Sequence, residues 1–369
     1  MRKKIDIMKN LNLMAPINSL GYGVASKNIL RGLSERTNLS LFPIGEPQIE
    51  SEDEKSLVEE CMSRSRMFDV NATCIKIWHE FDLGTRVGKG DMIAFPFFEL
   101  NKFNELKKHH LSSCDRIYTP SKWSKEVIEN EVPNSNVKVI PLGVDTSIFF
   151  PTLAADQRNQ QEGNNKKFVI FNCGKWEVRK GHDAILDIFR EAFPDEQDVE
   201  LWMMCSNPVA NQEVNTQWSN FYKQDQRVRL LDRVQNQQEL ANVINNVDCG
   251  LFPSRAEGWN FELLELMACG KKVVATEYSA HTQYCNSKNS ITIKPKKMEK
   301  AFDGLYFKED EVGDWASLDG IKSSFSDAIR SVYEDWKTGK SIDNAAGVET
   351  AFKFGWENTR DKILEDLNG

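Results

Sequence analysis

No stretch of this sequence approaches the roughly 18 to 20 consecutive apolar residues of a membrane-spanning helix, so no stable membrane insertion is expected. The start, MRKKIDIMKNLNLM, carries neither the apolar run nor the small-residue cleavage site of a secretory signal. A cytoplasmic protein is expected, in the host's cytoplasm should the gene be viral. No CxxC pair occurs. The eight cysteines are scattered, mostly in apolar stretches, where a reduced thiol packs as a small hydrophobe rather than forming disulfides. No Asp-x-Asp triplet and no close His, Cys and Asp cluster with ligand spacing appears, so no metal is expected. An excess of positive charge is lacking too: 47 Lys and Arg against 55 Asp and Glu give a net charge of -8. That argues against broad, sequence-independent binding of nucleic acid, which rests on neutralising phosphates.

What the chain does have is alternation. Its 369 residues, 40% hydrophobic, suffice for two domains. Apolar runs of strand length alternate with longer segments of helical period, the pattern of a parallel sheet wrapped by helices. In the first half the strands read as LNLMAP, LSLFPI, CIKIWH, DMIAFPF, DRIYTPS and VKVIPLG; in the second as KFVIFNCG, VELWMMCS, RVRLLDR, CGLFPS, KKVVATE and SITIKP. The expected fold is α/β, two Rossmann-like doubly wound domains over residues 1–150 and 167–340. The polar, aperiodic stretch 151–166 reads as a linker. Residues 341–369 read as an amphipathic helix broken near Gly355 that packs back on the first domain. Ligands of such sheets bind beyond the carboxyl ends of the strands, and two facing domains would enclose a cleft.

Residues just after strands therefore matter most. In SRAEGWNFELLELMACG a buried strand leads through a turn into a helix stopped by Gly270. Gly258 lets backbone approach a ligand, and the amides of Asn260 and Phe261 at the helix start suit a phosphate. Glu257 and Glu265, eight residues apart, lie at most about 12 Å apart along a helix, too far to share one proton or metal. They suit two hydroxyl-bearing parts of one elongated ligand, although a helix-start acid plus a solvated glutamate is the plainer alternative. In NCGKWEVRKGHDAILDIF a basic loop follows another strand. Its cations would stabilise charge on a departing diphosphate, or would simply be solvated. MAPINSLGYGVASKN reads as a strand, a turn at Gly21-Tyr22-Gly23 and a helix; GxGxxG is incomplete, so the turn alone says little about phosphate. CIKIWHEFDL sets His79 and Asp82 after a strand, either as a site or as a cap with a solvated acid.

Together these blocks resemble the retaining glycosyltransferases of family 4, of the two-Rossmann architecture called GT-B. The likeness spans nearly the whole chain and is strongest over Phe168 to Thr276. It implies that Glu257 holds the donor sugar, that Gly258, Trp259, Asn260 and Phe261 contact sugar and phosphate, and that Glu265 binds the ribose. Lys175 and Lys180 match the family's basic pair, which neutralises the leaving diphosphate. The first position is more often arginine there, and Arg179 is a stand-in. Val234 would lie near the nucleobase, Gly21 and Gly23 near the diphosphate, and His79 would position sugar and acceptor hydroxyl. Two departures stand out: Asn260 where glycine is frequent and Glu262 where proline is frequent.

The resemblance thus implies a metal-independent, retaining transfer of a hexose from a nucleoside diphosphate sugar, UDP- or GDP-linked, with no further cofactor. The acceptor is expected at the first domain, around Trp78, Asp82, Phe98 and Glu99. It would be a saccharide or glycolipid hydroxyl; hydroxymethylated bases in DNA, protein glycosylation, and epimerisation of the nucleotide sugar itself are the alternatives.

Overall fold

The computed structural model describes residues 9–152, 166–309 and 311–369. These form two compact units. One holds the described residues up to Phe98, Lys102–Gly143 and Phe354–Gly369; the other holds Glu99–Asn101 and Val144–Lys353.

In the first unit, β1 (Asn10–Ala15), α1 (Gly21–Ser34), β2 (Asn38–Pro43), α2 (Glu52–Arg64), β3 (Cys74–Lys76), β4 (Met92–Ala94), α3 (Glu105–Ser112), β5 (Arg116–Thr119), α4 (Lys122–Glu131) and β6 (Val137–Val139) follow in order. The strands pair in parallel in the order β2-β1-β3-β4-β5-β6. After β2 the chain reverses direction across the sheet, which puts a crevice at the carboxyl ends of β1 and β3. Helix starts are set by side chains that satisfy otherwise orphaned amides: Ser51, Asn104 and Ser121 accept from Glu54, Lys107 and Ser124.

The second unit runs β7 (Phe168–Gly174), α5 (His182–Ala192), β8 (Val199–Cys205), α6 (Gln212–Tyr222), β9 (Val228–Leu230), α7 (Gln237–Asn245), β10 (Cys249–Phe252), α8 (Phe261–Ala268), β11 (Lys272–Thr276), β12 (Ile291–Ile293), β13 (Met298–Lys300), β14 (Asp314–Ala316), α9 (Lys322–Lys337) and α10 (Ala345–Lys353). Its parallel sheet has the order β12-β11-β10-β7-β8-β9, so the reversal falls between β7 and β10. Both strands are apolar and buried nearly throughout, as strands covered on both faces must be. A core of Phe168, Ile170, Leu186, Phe189, Leu251, Phe325 and their neighbours fills one face. All eight cysteines are unpaired thiols and none is exposed; burial pushes those of Cys269 and Cys285 up to about 12.

Every strand read from the sequence is present, and three expectations change. The division falls at Val144, not after residue 150, because the chain beyond it is tied to the second unit: Thr152 N–H donates to Asn245 Oδ1 (3.0 Å) and Asn245 Nδ2 to the Phe150 carbonyl (3.1 Å). Of the expected linker, residues 153–165 lie outside the described residues. The closing segment breaks at Gly355 as expected, but only its second helix belongs to the first unit. Helix α10 belongs to the second unit, where Asn344 donates to the carbonyls of Lys271 and Asn289. The antiparallel pair β13 and β14 was not foreseen, since MEK has none of the β-branched or aromatic character of a strand.

The last helix, α11 (Trp356–Asn368), belongs to the first unit. It buries Ile363 and Leu367, packs on α1, and carries Asp366, whose side chain is 3% exposed. That carboxylate meets Arg116 and Lys138 and accepts from the Tyr118 hydroxyl at 2.6 Å. Thr359 Oγ1 adds a bond to the Pro141 carbonyl, 2.7 Å. Asp366→Ala is expected to lower the unit's stability by about 2 kcal/mol in urea unfolding, the cost of losing charged hydrogen bonds at a buried acceptor. Lys138→Ala, at a side chain 48% exposed, is expected to cost less than about 1 kcal/mol.

Candidate active site

The sequence between β7 and α5 and that between β10 and α8 leave adjacent strands at the reversal point of the second sheet, and they are locked to each other. Gly181 begins α5 with φ 78°, and a methyl group built on it would lie 2.2 Å from the Pro253 carbonyl oxygen; only glycine fits both the conformation and the approach. Arg255 N–H donates to the Arg179 carbonyl (2.6 Å). The Arg255 guanidinium bridges the Val178 carbonyl, Asp183 and Glu299 at 2.6 to 2.9 Å.

Inside this junction four buried charged side chains, Glu177, Arg179, Glu257 and Lys180, form a chain that the part-exposed Lys175 extends. Glu177 accepts from Arg179 Nε (2.9 Å) and Nη2 (2.6 Å) and pairs with Lys175 (2.7 Å). Arg179 Nη1 then donates to Glu257 Oε2 (2.8 Å) and to the Ala256 carbonyl (2.7 Å). Lys180 Nζ donates to Glu257 Oε1 (3.1 Å), which also accepts from Ser254 Oγ (2.8 Å). Burial pushes the Glu257 carboxyl up, but Lys180 and Arg179 outweigh it and hold the group far below the usual carboxylate range. Glu177 is likewise raised by burial and lowered on balance by Arg179 and Lys175. Lys180 is raised overall, its loss of solvation outweighed by Glu257 and Glu262. The sequence-predicted cations Lys175, Arg179 and Lys180 and the carboxylate of Glu257 thus stand together.

Glu265 is the opposite case. It lies in α8, 6% exposed, and its Oε2 is buried with no hydrogen-bond partner among the described residues. Burial, then the Glu262 charge, raises its carboxyl well above the ordinary range. A buried carboxyl oxygen without a partner is costly to the fold.

The turn between the two glutamates explains the departure at Asn260. That residue takes φ 76°, the left-handed conformation that glycine adopts freely and asparagine tolerates best among the others. Its Oδ1 caps α8 by accepting from Leu263 N–H (3.2 Å), and its amide nitrogen lies 2.8 Å from His281 Nε2. His281 Nδ1 lies 2.9 Å from the Thr276 carbonyl, an acceptor, so Nδ1 carries the proton and Nε2 accepts from Asn260. Ser279, in a single turn of 3-10 helix with φ 53°, accepts from Glu257 N–H through its hydroxyl (2.8 Å). Gly258 and Trp259 are buried in this turn, the indole 5.0 Å from the Tyr284 ring, and Phe261 opens α8.

Sequence reasoning missed Glu177, Ser254, Arg255, Ser279 and His281. The last two lie some twenty residues beyond Glu257, and no local spacing announces them. It also missed His182, whose Nδ1 accepts from Glu177 N–H (3.0 Å) while Nε2 meets Asn172 Oδ1 (2.9 Å). Burial, then Lys180, pushes that imidazole down to about 3, so it is a neutral strut under the loop. Val234 sits half-buried in the loop that follows β9.

In the first unit, Trp78, His79 and Asp82 follow β3, with Trp78 Nε1 donating to Asp82 Oδ2 (3.1 Å). Three expectations are corrected there. Gly21 and Gly23 do not form a loop: they are the first turn of α1, begun when Val24 N–H bonds to the Leu20 carbonyl (2.8 Å). A methyl on Gly23 would lie 2.2 Å from the Asn18 carbonyl oxygen, so this glycine serves close packing of the preceding loop. Phe98 is core, 2% exposed and edge-on to Phe103 at 4.9 Å. Glu99 groups with the second unit, 3.9 Å from Arg179. Among the described residues no three His, Cys, Asp or Glu side chains converge as a metal set would, and no helix is long and apolar enough to cross a membrane.

Residues 167–306, which contain this whole charged junction, match the family described as "Glycosyl transferases group 1". That segment is similar to the group 1 glycosyltransferases. The chain is 25% identical over 255 residues to D-inositol 3-phosphate glycosyltransferase of Paenarthrobacter aurescens, an alignment covering 67% of this chain and 55% of that protein. It therefore spans about half the length of the curated relatives it matches. Among solved structures, HepE of Anabaena in complex with UDP and glucose superposes with TM-score 0.71 at 15% identity, covering 98% of this chain and all of that one. Sucrose-phosphate synthase of Thermosynechococcus elongatus superposes with TM-score 0.70 at 13% identity over 97% and 98%. The fold is GT-B.

The two glutamates titrate in opposite senses. Glu257, lowered in the fold, contributes stability present above the unfolded carboxyl value of about 4.3 and lost as pH falls below it. Glu265, raised in the fold, contributes stability present below about 4.3 and lost as pH rises from there. Glu257→Gln is thus expected to cost about 3 to 5 kcal/mol at pH 7, the penalty for breaking a buried ion pair. Glu265→Gln is expected to be better tolerated at pH 7 than at pH 4, because the amide has no proton to take up on folding. Chemical unfolding of both variants at the two pH values checks the pair.

Proposed function

We propose that the chain is a retaining glycosyltransferase that moves a hexose from a nucleoside diphosphate sugar, UDP-linked, to a hydroxyl of a saccharide or glycolipid. The observation that carries this is the Glu265 carboxyl, whose buried Oε2 has no hydrogen-bond partner among the described residues, in the helix that Asn260 caps and eight residues beyond the ion-paired Glu257, inside the segment matching group 1 glycosyltransferases. A carboxyl so placed is suited to the vicinal hydroxyls of a ribose, which would supply the hydrogen bonds it lacks.

In this reading Lys180, with Arg179 and Lys175, bears on the diphosphate as it departs. Positive charge already fixed in a buried site needs no reorganisation as negative charge develops. Glu257, held ionised and oriented by Arg179, Lys180 and Ser254, accepts from sugar hydroxyls, and the turn Gly258 to Phe261 lies against sugar and phosphate. The anomeric carbon–phosphate oxygen bond breaks, the acceptor oxygen bonds to the same face, and the acceptor proton passes to the leaving phosphate oxygen. His79 orients sugar and acceptor. No metal and no further cofactor is assigned a role, and the site of action is the cytoplasm. The UDP assignment is supported by the structural neighbour in complex with UDP and glucose; the saccharide or polyol character of the acceptor by the relatives' names.

A thermal-shift panel of UDP, GDP, ADP and their glucose conjugates tests this. UDP at 100 times its dissociation constant is expected to stabilise the fold by about 2.7 kcal/mol, with the shift much reduced in Glu265→Ala and Lys180→Ala. Absence of any nucleotide shift in well-folded protein would refute the reading.

A further inference from the structure

The first unit holds a second arrangement at its own reversal point, where β1 and β3 part. Tyr22, in the first turn of α1, stacks on Phe97 (centroids 4.5 Å, 17°) and exchanges two hydrogen bonds with its backbone: the hydroxyl donates to the Phe97 carbonyl (2.9 Å) and accepts from its N–H (2.8 Å). Against Tyr22 lie His79 (4.5 Å) and Trp78 (5.7 Å). Phe81 stacks parallel on His79 (5.0 Å, 15°) and is nevertheless 45% exposed, at a turn closed by Asp82 N–H on the His79 carbonyl (3.1 Å). Turns favour small polar residues, so a phenylalanine held out at this one is not there for the turn.

The loop that carries these rings is fixed from beneath. Lys76, 1% exposed, donates to Thr85 Oγ1 (2.7 Å) and carbonyl (3.2 Å), and Glu80 forms a buried ion pair with Lys107 (3.3 Å). Two buried ammonium groups serving one short loop are an expensive way to hold a connection and a sound way to preorganise a binding surface.

We propose that Phe81, Trp78 and Asp82 form a platform for an uncharged sugar ring, so that the acceptor offers a pyranose face rather than a phosphorylated polyol. This deepens the glycosyltransferase reading and rests on it for the word acceptor. The C–H face of a pyranose is apolar and covers an aromatic ring, while its rim of hydroxyls needs acceptors. Asp82 supplies them: a carboxylate has about four lone-pair sites, and the Trp78 indole takes one. The same carboxylate repels a phosphate, and Lys76 at the end of β3, whose charge attracts Asp82, is buried and hydrogen-bonded to Thr85 rather than presented to a ligand. The chemistry thus differs from that named for the D-inositol 3-phosphate relatives.

Saturation-transfer NMR on the full chain, without nucleotide, tests the platform with methyl glycosides of glucose, galactose, mannose and N-acetylglucosamine, the octyl glycosides of the same sugars below their micelle concentrations, and D-inositol 3-phosphate. At least one methyl glycoside is expected to bind, and Phe81→Ala to weaken it about tenfold. Phe81→Leu, which keeps apolar bulk without the ring, is expected to fall between wild type and Phe81→Ala; Asp82→Asn is expected to weaken binding by a smaller factor. A soluble glycan and a glycolipid share the ring, so equal affinity for methyl and octyl forms is expected. Binding that requires the octyl chain, preference for the inositol phosphate, no glycoside binding, or unchanged affinity in folded Phe81→Ala would each overturn the proposal. The UDP-induced thermal shift, read separately, tells failure of the donor assignment from failure of the platform.

Discussion

The ion chain from Lys175 through Glu177, Arg179 and Glu257 to Lys180 is the constraint on which the second unit's geometry depends. It joins two loops that leave neighbouring strands of the sheet, and it adds charged links to the apolar anchors Trp176 and Ala256. Arg179 reaches both carboxylates and the Ala256 carbonyl, which a lysine's single ammonium could not do at those angles. Arg255 reinforces the same junction from outside through Asp183 and Glu299. Charges removed from water at this density cost more than they return unless each is matched, and here each is matched. Position is what results: cations and a carboxylate held where reorganisation is least, which is what electrostatic catalysis asks for.

Glu265 shows the complementary arrangement. Two carboxylates eight residues apart sit in equally buried surroundings, yet one is over-supplied with donors and the other has an oxygen with none among the described residues. No argument from hydropathy distinguishes them, because the difference lies in what folds against each. The left-handed Asn260 between them, tied back through His281 to Thr276, separates the two environments within a few residues of chain.

Strand runs were legible because parallel strands buried on both faces have few sequences open to them, and every one read from the pattern is present. The order of the sheets was not read from that alternation, and Lys180 and Glu257 were assigned to one donor site through the family resemblance; the structure pairs them directly. Less was legible wherever a side chain's meaning depends on a distant partner. Phe98 reads as exposed beside Phe97 and Glu99, yet turns inward onto Phe103. The Gly21-Tyr22-Gly23 triplet looks like a turn because glycine disfavours helix interiors, but a first turn tolerates it and the Asn18 loop demands it at position 23. Ser279 and His281 look like ordinary polar residues after a strand until the turn at Glu257 folds against them. The β13 and β14 pair is held by Glu299, which bonds Arg255, Trp315 and Ser317, and the sequence of MEK alone says nothing of it.

Helix α11 has a consequence for how the molecule comes into being. The first unit is discontinuous in sequence: its sheet is made early, but the carboxylate of Asp366 that gathers Arg116, Tyr118 and Lys138 is made after the whole of the second unit. On the ribosome the second unit can close before the first has received its final helix, since domains fold as units while synthesis proceeds. The amino-terminal sheet must wait, partly uncovered, through more than two hundred residues of translation. Its order of completion is therefore the reverse of its order of appearance, and any pause late in synthesis prolongs the exposure of the part that was made first.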